Sequence, residues 1–134
     1  MTSQTAAAGL ILVVDDDPHI RKALAIMLRR EQYQVLEASG VEELYAVLED
    51  CRPDLIFLDV MLSGEDGFSV CQQLKTESFT MDVPVFLLTA RGLHADVVRG
   101  FMCGASEYVL KPFLAKDVIA LVKKYVMTHP VKQR

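Results

Sequence analysis

"ILVVDDDPHI" (residues 11–20) runs four apolar residues straight into three adjacent carboxylates and a proline. The apolar run, rich in β-branched side chains, reads as a strand buried on both faces. Asp17 ahead of Pro18 reads as a helix cap, because an Asp side chain accepts the first free amides and Pro fits the first helical position. Asp15 and Asp16 then stand at the end of the strand as neighbouring like charges, which repel unless a positive group lies between them. Taken alone, these ten residues fit a solvated turn as well as a charged site. The residues around them have to decide.

Outward from this stretch, apolar runs alternate with segments of helical period. "GLILVVD" (9–15), "YQVLEA" (33–38), "DLIFLD" (54–59), "VPVFLLT" (83–89) and "SEYVLK" (106–111) read as strands. In the first intervening segment, Ile20, Ala23, Leu24, Met27 and Leu28 form an apolar stripe, with Arg21, Arg29 and Arg30 opposite. A second helix over 41–50 starts at Ser39 or Gly40 and stops before "RPD". Residues 66–76, 94–104 and 114–127 supply three more. Strand and helix repeated five times predict an α/β fold: a doubly wound, five-stranded parallel sheet with helices on both faces.

A chain of 134 residues suits one domain, expected over 9–127, with a loose tail at 1–8 and a basic tail or start of a linker at 128–134. Hydrophobic residues at 51% and charged residues at 24% describe an ordinary folded protein. The net charge of −4, with no basic run longer than two residues, argues against this domain itself gripping nucleic acid through phosphates. No apolar run approaches the roughly 18–20 residues that span a bilayer, and "MTSQTAAAG" lacks the charge and length of a signal peptide. Cys51, Cys71 and Cys103 are odd in number and far apart, which predicts reduced packing residues and a cytoplasmic location.

In a doubly wound sheet, ligands bind beyond the carboxyl ends of the strands. Those ends carry Asp15 and Asp16, Asp59, Thr89, and Lys111 followed by Pro112. Three carboxylates meeting in one place require a cation, and oxygen-only ligands suit Mg²⁺, with Mn²⁺ as a substitute. One lysine and one divalent ion would balance the three negative charges. Such a site would tolerate a phosphoryl group on Asp59, with Thr89 offering a hydroxyl to its oxygens.

With these residues in place, the chain resembles the response-regulator receiver domains of two-component signalling, whose chemotaxis-regulator-like fold has the flavodoxin-like strand order 2-1-3-4-5. The resemblance rests on "VVDDDP" (13–18), "DLIFLDVMLSGEDGF" (54–68), "LLTA" (87–90) and "GASEYVLKPF" (104–113), in that order. It implies that Asp59 is the phosphoacceptor, and that Asp15, Asp16, Asp59 and the Met61 backbone carbonyl hold Mg²⁺. It further implies that Thr89, the Ala90 backbone, Tyr108 and Lys111 bind the phosphoryl group and report its presence, and that the Lys111–Pro112 bond is cis. Gly67 would permit the tight turn into the third helix. The implied partners are a sensor histidine kinase or phosphotransfer protein, and an output domain or partner on the helix 4–strand 5–helix 5 face. The resemblance also implies that Met61 and Arg91 flank the path of the hydrolytic water; neither accepts a hydrogen bond as a carboxylate or amide would, so a long-lived phosphorylated state is expected.

The chain departs from the family pattern at Ser63, where receivers usually carry proline. His19, His94 and His129 have no partners at catalytic or metal-binding spacing and read as surface residues. In the fifth helix, Val118, Leu121, Val122 and Tyr125 suffice for packing, while Ala115, Ile119 and Val126 widen the apolar arc. Leu121 stands where one receiver class has the arginine of a charged dimer contact, so that kind of dimer is not expected. Two other functions use similar residues. An aspartyl-phosphate phosphatase needs two Asp residues two apart on the first strand, followed by Thr, and a cap domain; the Thr and the cap are missing. A non-phosphorylated pseudo-receiver would have no need of the full set Asp16, Asp59, Thr89 and Lys111.

Overall fold

In β1 (Leu10–Val14) every residue from Ile11 to Val14 is buried, which requires packing on both faces. Side chains alternate along a strand, so Leu12 and Val14 enter one core layer and Ile11 and Val13 the other. β1 pairs in parallel with β2 (Gln34–Ala38) on one side and β3 (Leu55–Asp59) on the other. Beyond β3, and after the short β4 (Met61–Leu62) and β5 (Glu65–Asp66), come β6 (Val85–Thr89) and β7 (Glu107–Leu110). The order β2-β1-β3-β6-β7 is the expected one, and the parallel strands put the ends that carry Asp15, Asp59, Thr89 and Lys111 on one edge. This computed structural model describes residues 9–90, 98–99 and 102–126.

The helices α1 (Pro18–Arg30), α2 (Val41–Asp50), α3 (Gly67–Thr76) and α4 (Ala115–Tyr125) cover the sheet. α2 and α3 contribute Leu44, Leu48, Cys71 and Leu74 to one layer; α1 and α4 contribute Leu24, Leu28, Val118 and Val122 to the other. Phe86 links β6 to both neighbours in its layer, edge-on to Phe57 at 5.3 Å and to Tyr125 at 5.0 Å. Cys71 and Cys103 are buried and Cys51 half-buried, and none of the three is in a disulfide. Val98, Arg99 and Met102 are helical; the remainder of the expected helix at 94–104, His94 included, lies outside the described residues, apart from Cys103 and Gly104, which form a turn. The two tails beyond 9 and 126 lie outside them as well.

α1 sits rotated from the expected stripe. Ala25 is buried beside Leu24 and Leu28, while Ala23 faces solvent. The reason is Arg21, read from the sequence as solvent-facing: its side chain is only 16% exposed and bonds Glu37 Oε1 at 3.1 Å and the Asp15 carbonyl at 2.8 Å. A guanidinium can lie against the sheet once its donors are satisfied this way. Asp17 caps α1 as expected, accepting the His19 N–H at 2.9 Å. The unforeseen β4–β5 pair is a two-residue hairpin, with Ser63 and Gly64 at its tip, in what had read as a plain loop.

Candidate functional site

Asp15 is the first residue past β1 and has no exposed surface. Its N–H is fixed by the Ala38 carbonyl at 3.1 Å, and its Oδ1 accepts the Asp17 N–H at 2.9 Å. Asp59 ends β3, 5% exposed, with Oδ1 accepting the Met61 N–H at 2.9 Å. Lys111 follows β7 and reaches across the sheet edge. Its Nζ donates to Asp59 Oδ2 at 3.0 Å and lies 3.0 Å from Asp15 Oδ2. Asp15 Oδ2 is off the hydrogen-bonding line of that ammonium and has no hydrogen-bond partner among the described residues. Asp16 is half-buried, and its Oδ2 accepts both the N–H (3.0 Å) and the hydroxyl (2.6 Å) of Ser63.

Asp15, Asp16 and Asp59 each bring one oxygen within 4.8 Å of the others. The cluster holds more negative charge than Lys111 balances. Burial therefore pushes the Asp15 carboxyl up to about 6, against the bond from the Asp17 N–H and the attraction of the Lys111 ammonium, and the Asp59 charge adds to the rise. Burial works against the Lys111 charge too, but the Asp59 hydrogen bond and the charges of Asp59 and Asp15 outweigh it and hold the ammonium above the usual lysine value. A cluster of hard oxygens with an orphaned buried carboxylate atom suits a divalent cation of the Mg²⁺ type.

Thr89 ends β6, 1% exposed, and its carbonyl accepts the Lys111 N–H at 2.7 Å, which ties the lysine to the neighbouring strand end. The Lys111–Pro112 bond is cis. Ala90 is exposed just beyond Thr89, and Tyr108 is half-buried, packed on the α2–α3 layer. The Met61 side chain is 62% exposed; Arg91 lies outside the described residues. Gly67 is required for a reason other than the expected one. Its φ is not positive, but a Cβ there would overlap the Asp59 carbonyl oxygen and sit 2.5 Å from Val60 Cα. The start of α3 thus packs directly on the backbone that presents Asp59. Asp66 caps that helix through the Phe68 N–H at 3.0 Å, and Arg99 pairs with Asp66 while lying 4.5 Å above the Phe68 ring.

The sequence reading did not anticipate the Ser63–Asp16 and Arg99–Asp66 contacts. Ser63 had a signal, its departure from proline; Arg99 had none, because nothing local links it to residue 66.

The description of the response regulator receiver domain family matches residues 11–123. The chain belongs to this family. It is 42% identical over 116 residues to the phosphate regulon transcriptional regulatory protein PhoB of Escherichia coli, covering 87% of this chain and 51% of that protein. A response regulator from Chloroflexus aurantiacus has a crystal structure that superposes with a TM-score of 0.83 at 32% identity, covering 87% of this chain and 96% of that one. The receiver domain of a sensor histidine kinase from Pseudomonas aeruginosa, solved with a magnesium ion coordinated in its active site cleft, gives 0.80 at 27% identity, covering 90% and 98%. The chain spans about half the length of the curated relatives it matches. As a receiver domain it is a signalling module, and its acidic cluster fits the phosphorylation site of two-component regulators. Among the described residues, no helix is long and apolar enough to cross a membrane.

Proposed function

We propose that this receiver, a domain over 9–127 with a loose tail at 1–8 and a tail or the start of a linker at 128–134, takes a phosphoryl group on Asp59 from the phosphohistidine of a sensor kinase or phosphotransfer protein. The supporting observation is the placement of Asp59. Of the two carboxylates that Lys111 touches, only Asp59 takes an aligned hydrogen bond from its ammonium, and Asp15 and Asp16 stand beside it as cation ligands. In the transfer, an Asp59 oxygen forms the new O–P bond as the N–P bond of the donor breaks and the histidine nitrogen leaves with its electron pair. Lys111 pairs with the phosphoryl oxygens, and Thr89 and the Ala90 N–H supply further donors. Mg²⁺ or Mn²⁺, held by Asp15, Asp16, Asp59 and the Met61 carbonyl, would supply the remaining charge neutralisation. The domain has no turnover beyond this self-catalysed transfer and the later hydrolysis.

Thr89 and Tyr108 then report the change to the β7–α4 face, where Leu110, Leu114 and Tyr125 are 48%, 63% and 40% exposed, a surface suited to an output domain or partner. Two relatives are named as DNA-binding regulators and are about twice this chain's length, so DNA contact belongs to an output domain rather than to this acidic one. Cysteines outside disulfides accord with a cytoplasmic setting.

Incubation with a small-molecule phosphodonor and Mg²⁺ is expected to add the mass of one phosphoryl group, and to add none with EDTA or in Asp59→Asn. Labelling that survives either change would refute the assignment. Met61 and Arg91 are proposed to shield the acyl phosphate from water. Met61→Asn with Arg91→Glu is expected to shorten its lifetime in a mass time course, and an unchanged or slower decay would count against the shielding.

A further inference from the structure

Ser63 occupies the hairpin tip between β4 and β5, opposite Gly64 with φ 75°. Among the described non-glycine residues only Gln32 has positive φ, so the tip has the sign pattern of a type II turn with Ser63 in its second place. That place accommodates proline without strain, so the backbone does not demand serine. Proline, however, has neither an N–H nor a hydroxyl, and serine here uses both: the two donors converge on one oxygen, Asp16 Oδ2.

A carboxylate oxygen has two lone-pair directions, and two donors occupy both. With both directions of Oδ2 taken, Oδ1 is the Asp16 oxygen left for a cation. We infer that Ser63 is a positioning residue for the metal site, a clamp that fixes Asp16 as a single-oxygen ligand and raises divalent-cation affinity. The inference rests on the proposed reading of the acidic cluster as a cation site. It also revises what Ser63 means: the hydrogen-bonded clamp does for Asp16 what a ring at position 63 cannot. Outer hydrogen-bond partners of ligating carboxylates orient them in this way, and their loss commonly weakens metal binding by about 10–100-fold.

The test is Mg²⁺ titration of the whole chain by calorimetry, with Ser63→Pro, Ser63→Ala and Ser63→Thr. Ser63→Pro loses both donors and is expected to weaken Mg²⁺ binding by about ten-fold. Ser63→Ala keeps the N–H and should lose roughly three-fold, whereas Ser63→Thr keeps both donors and should stay within about two-fold of wild type. A metal-free readout stands beside these: amide hydrogen exchange at Ser63 should be about ten-fold slower in wild type than in Asp16→Ala. Equal or tighter Mg²⁺ binding in the Pro and Ala variants would overturn the clamp, as would a Thr variant as weak as Ala, or unprotected exchange at Ser63. Wild-type protein that binds no Mg²⁺ would instead overturn the cation-site reading on which the clamp depends.

Discussion

Two charge clusters flank β1 and are near mirror images. On β2, Glu37 alone faces three cations: Arg21 at 3.1 Å, Lys22 at 3.3 Å and Arg29 at 3.7 Å. At the strand ends, among the described residues, Lys111 alone faces Asp15 and Asp59 at 3.0 Å each, with Asp16 beside them. Each cluster carries unbalanced charge, but only one of them carries it in a dry place. Lys22 and Arg29 are 64% and 51% exposed, so water and salt screen the excess positive charge. The Asp15 side chain is 0% exposed and that of Asp59 7%, so the excess negative charge has no such outlet. Unbalanced charge in water is a surface property; the same imbalance under the surface calls for a ligand.

The comparison can be broken at its four most informative residues. The largest effect is expected from Lys111→Met, which strands the buried carboxylates: metal-free stability in denaturant should fall by about 3 kcal/mol, and Mg²⁺ should recover much of it. Asp15→Asn should act in the opposite direction. The folded state raises the Asp15 carboxyl to about 6 from 3.8, so it holds that proton more tightly than the unfolded chain does. The stability this brings is full below the unfolded value and is lost as pH rises through about 6. At pH 7 without metal, Asp15→Asn should therefore be more stable than wild type by about 2 kcal/mol, an advantage that vanishes near pH 4. Denaturant melts at both pH values check the sign.

Effects should shrink in the basic cluster. Glu37→Gln keeps an acceptor oxygen but removes the negative charge that a half-buried arginine faces, and should cost about 1–2 kcal/mol. Lys22→Ala should cost less than about 0.5 kcal/mol, and less still in high salt. A Lys22 effect as large as that of Lys111 would mean that burial does not distinguish the clusters.

The two clusters also differ in how far the sequence revealed them. Asp15, Asp59, Thr89 and Lys111 were legible because each closes an apolar run that must be a strand, and parallel strands put their carboxyl ends together. The Glu37 cluster was not, because helical periodicity placed Arg21 on the wrong face; an arginine's polar head can be satisfied across a sheet that the period of its own helix does not describe. The Ser63–Asp16 contact joins residues 47 apart in sequence through a hairpin of two-residue strands, too short for any alternation pattern to register. Gly67 was legible as a needed glycine but not for its cause, since close approach to Asp59 is a property of packing, whereas only a turn leaves a local sign.

The most direct measurement is the proton released when Mg²⁺ binds, obtained by calorimetric titration at pH 6 and pH 8 in buffers of different ionisation enthalpy. If the buried excess of negative charge is what the cation fills, binding at pH 6 should expel roughly half a proton from Asp15, and binding at pH 8 almost none, with the tighter affinity at pH 8. Absence of binding, or binding with no proton release and no gain in affinity between the two pH values, would contradict it.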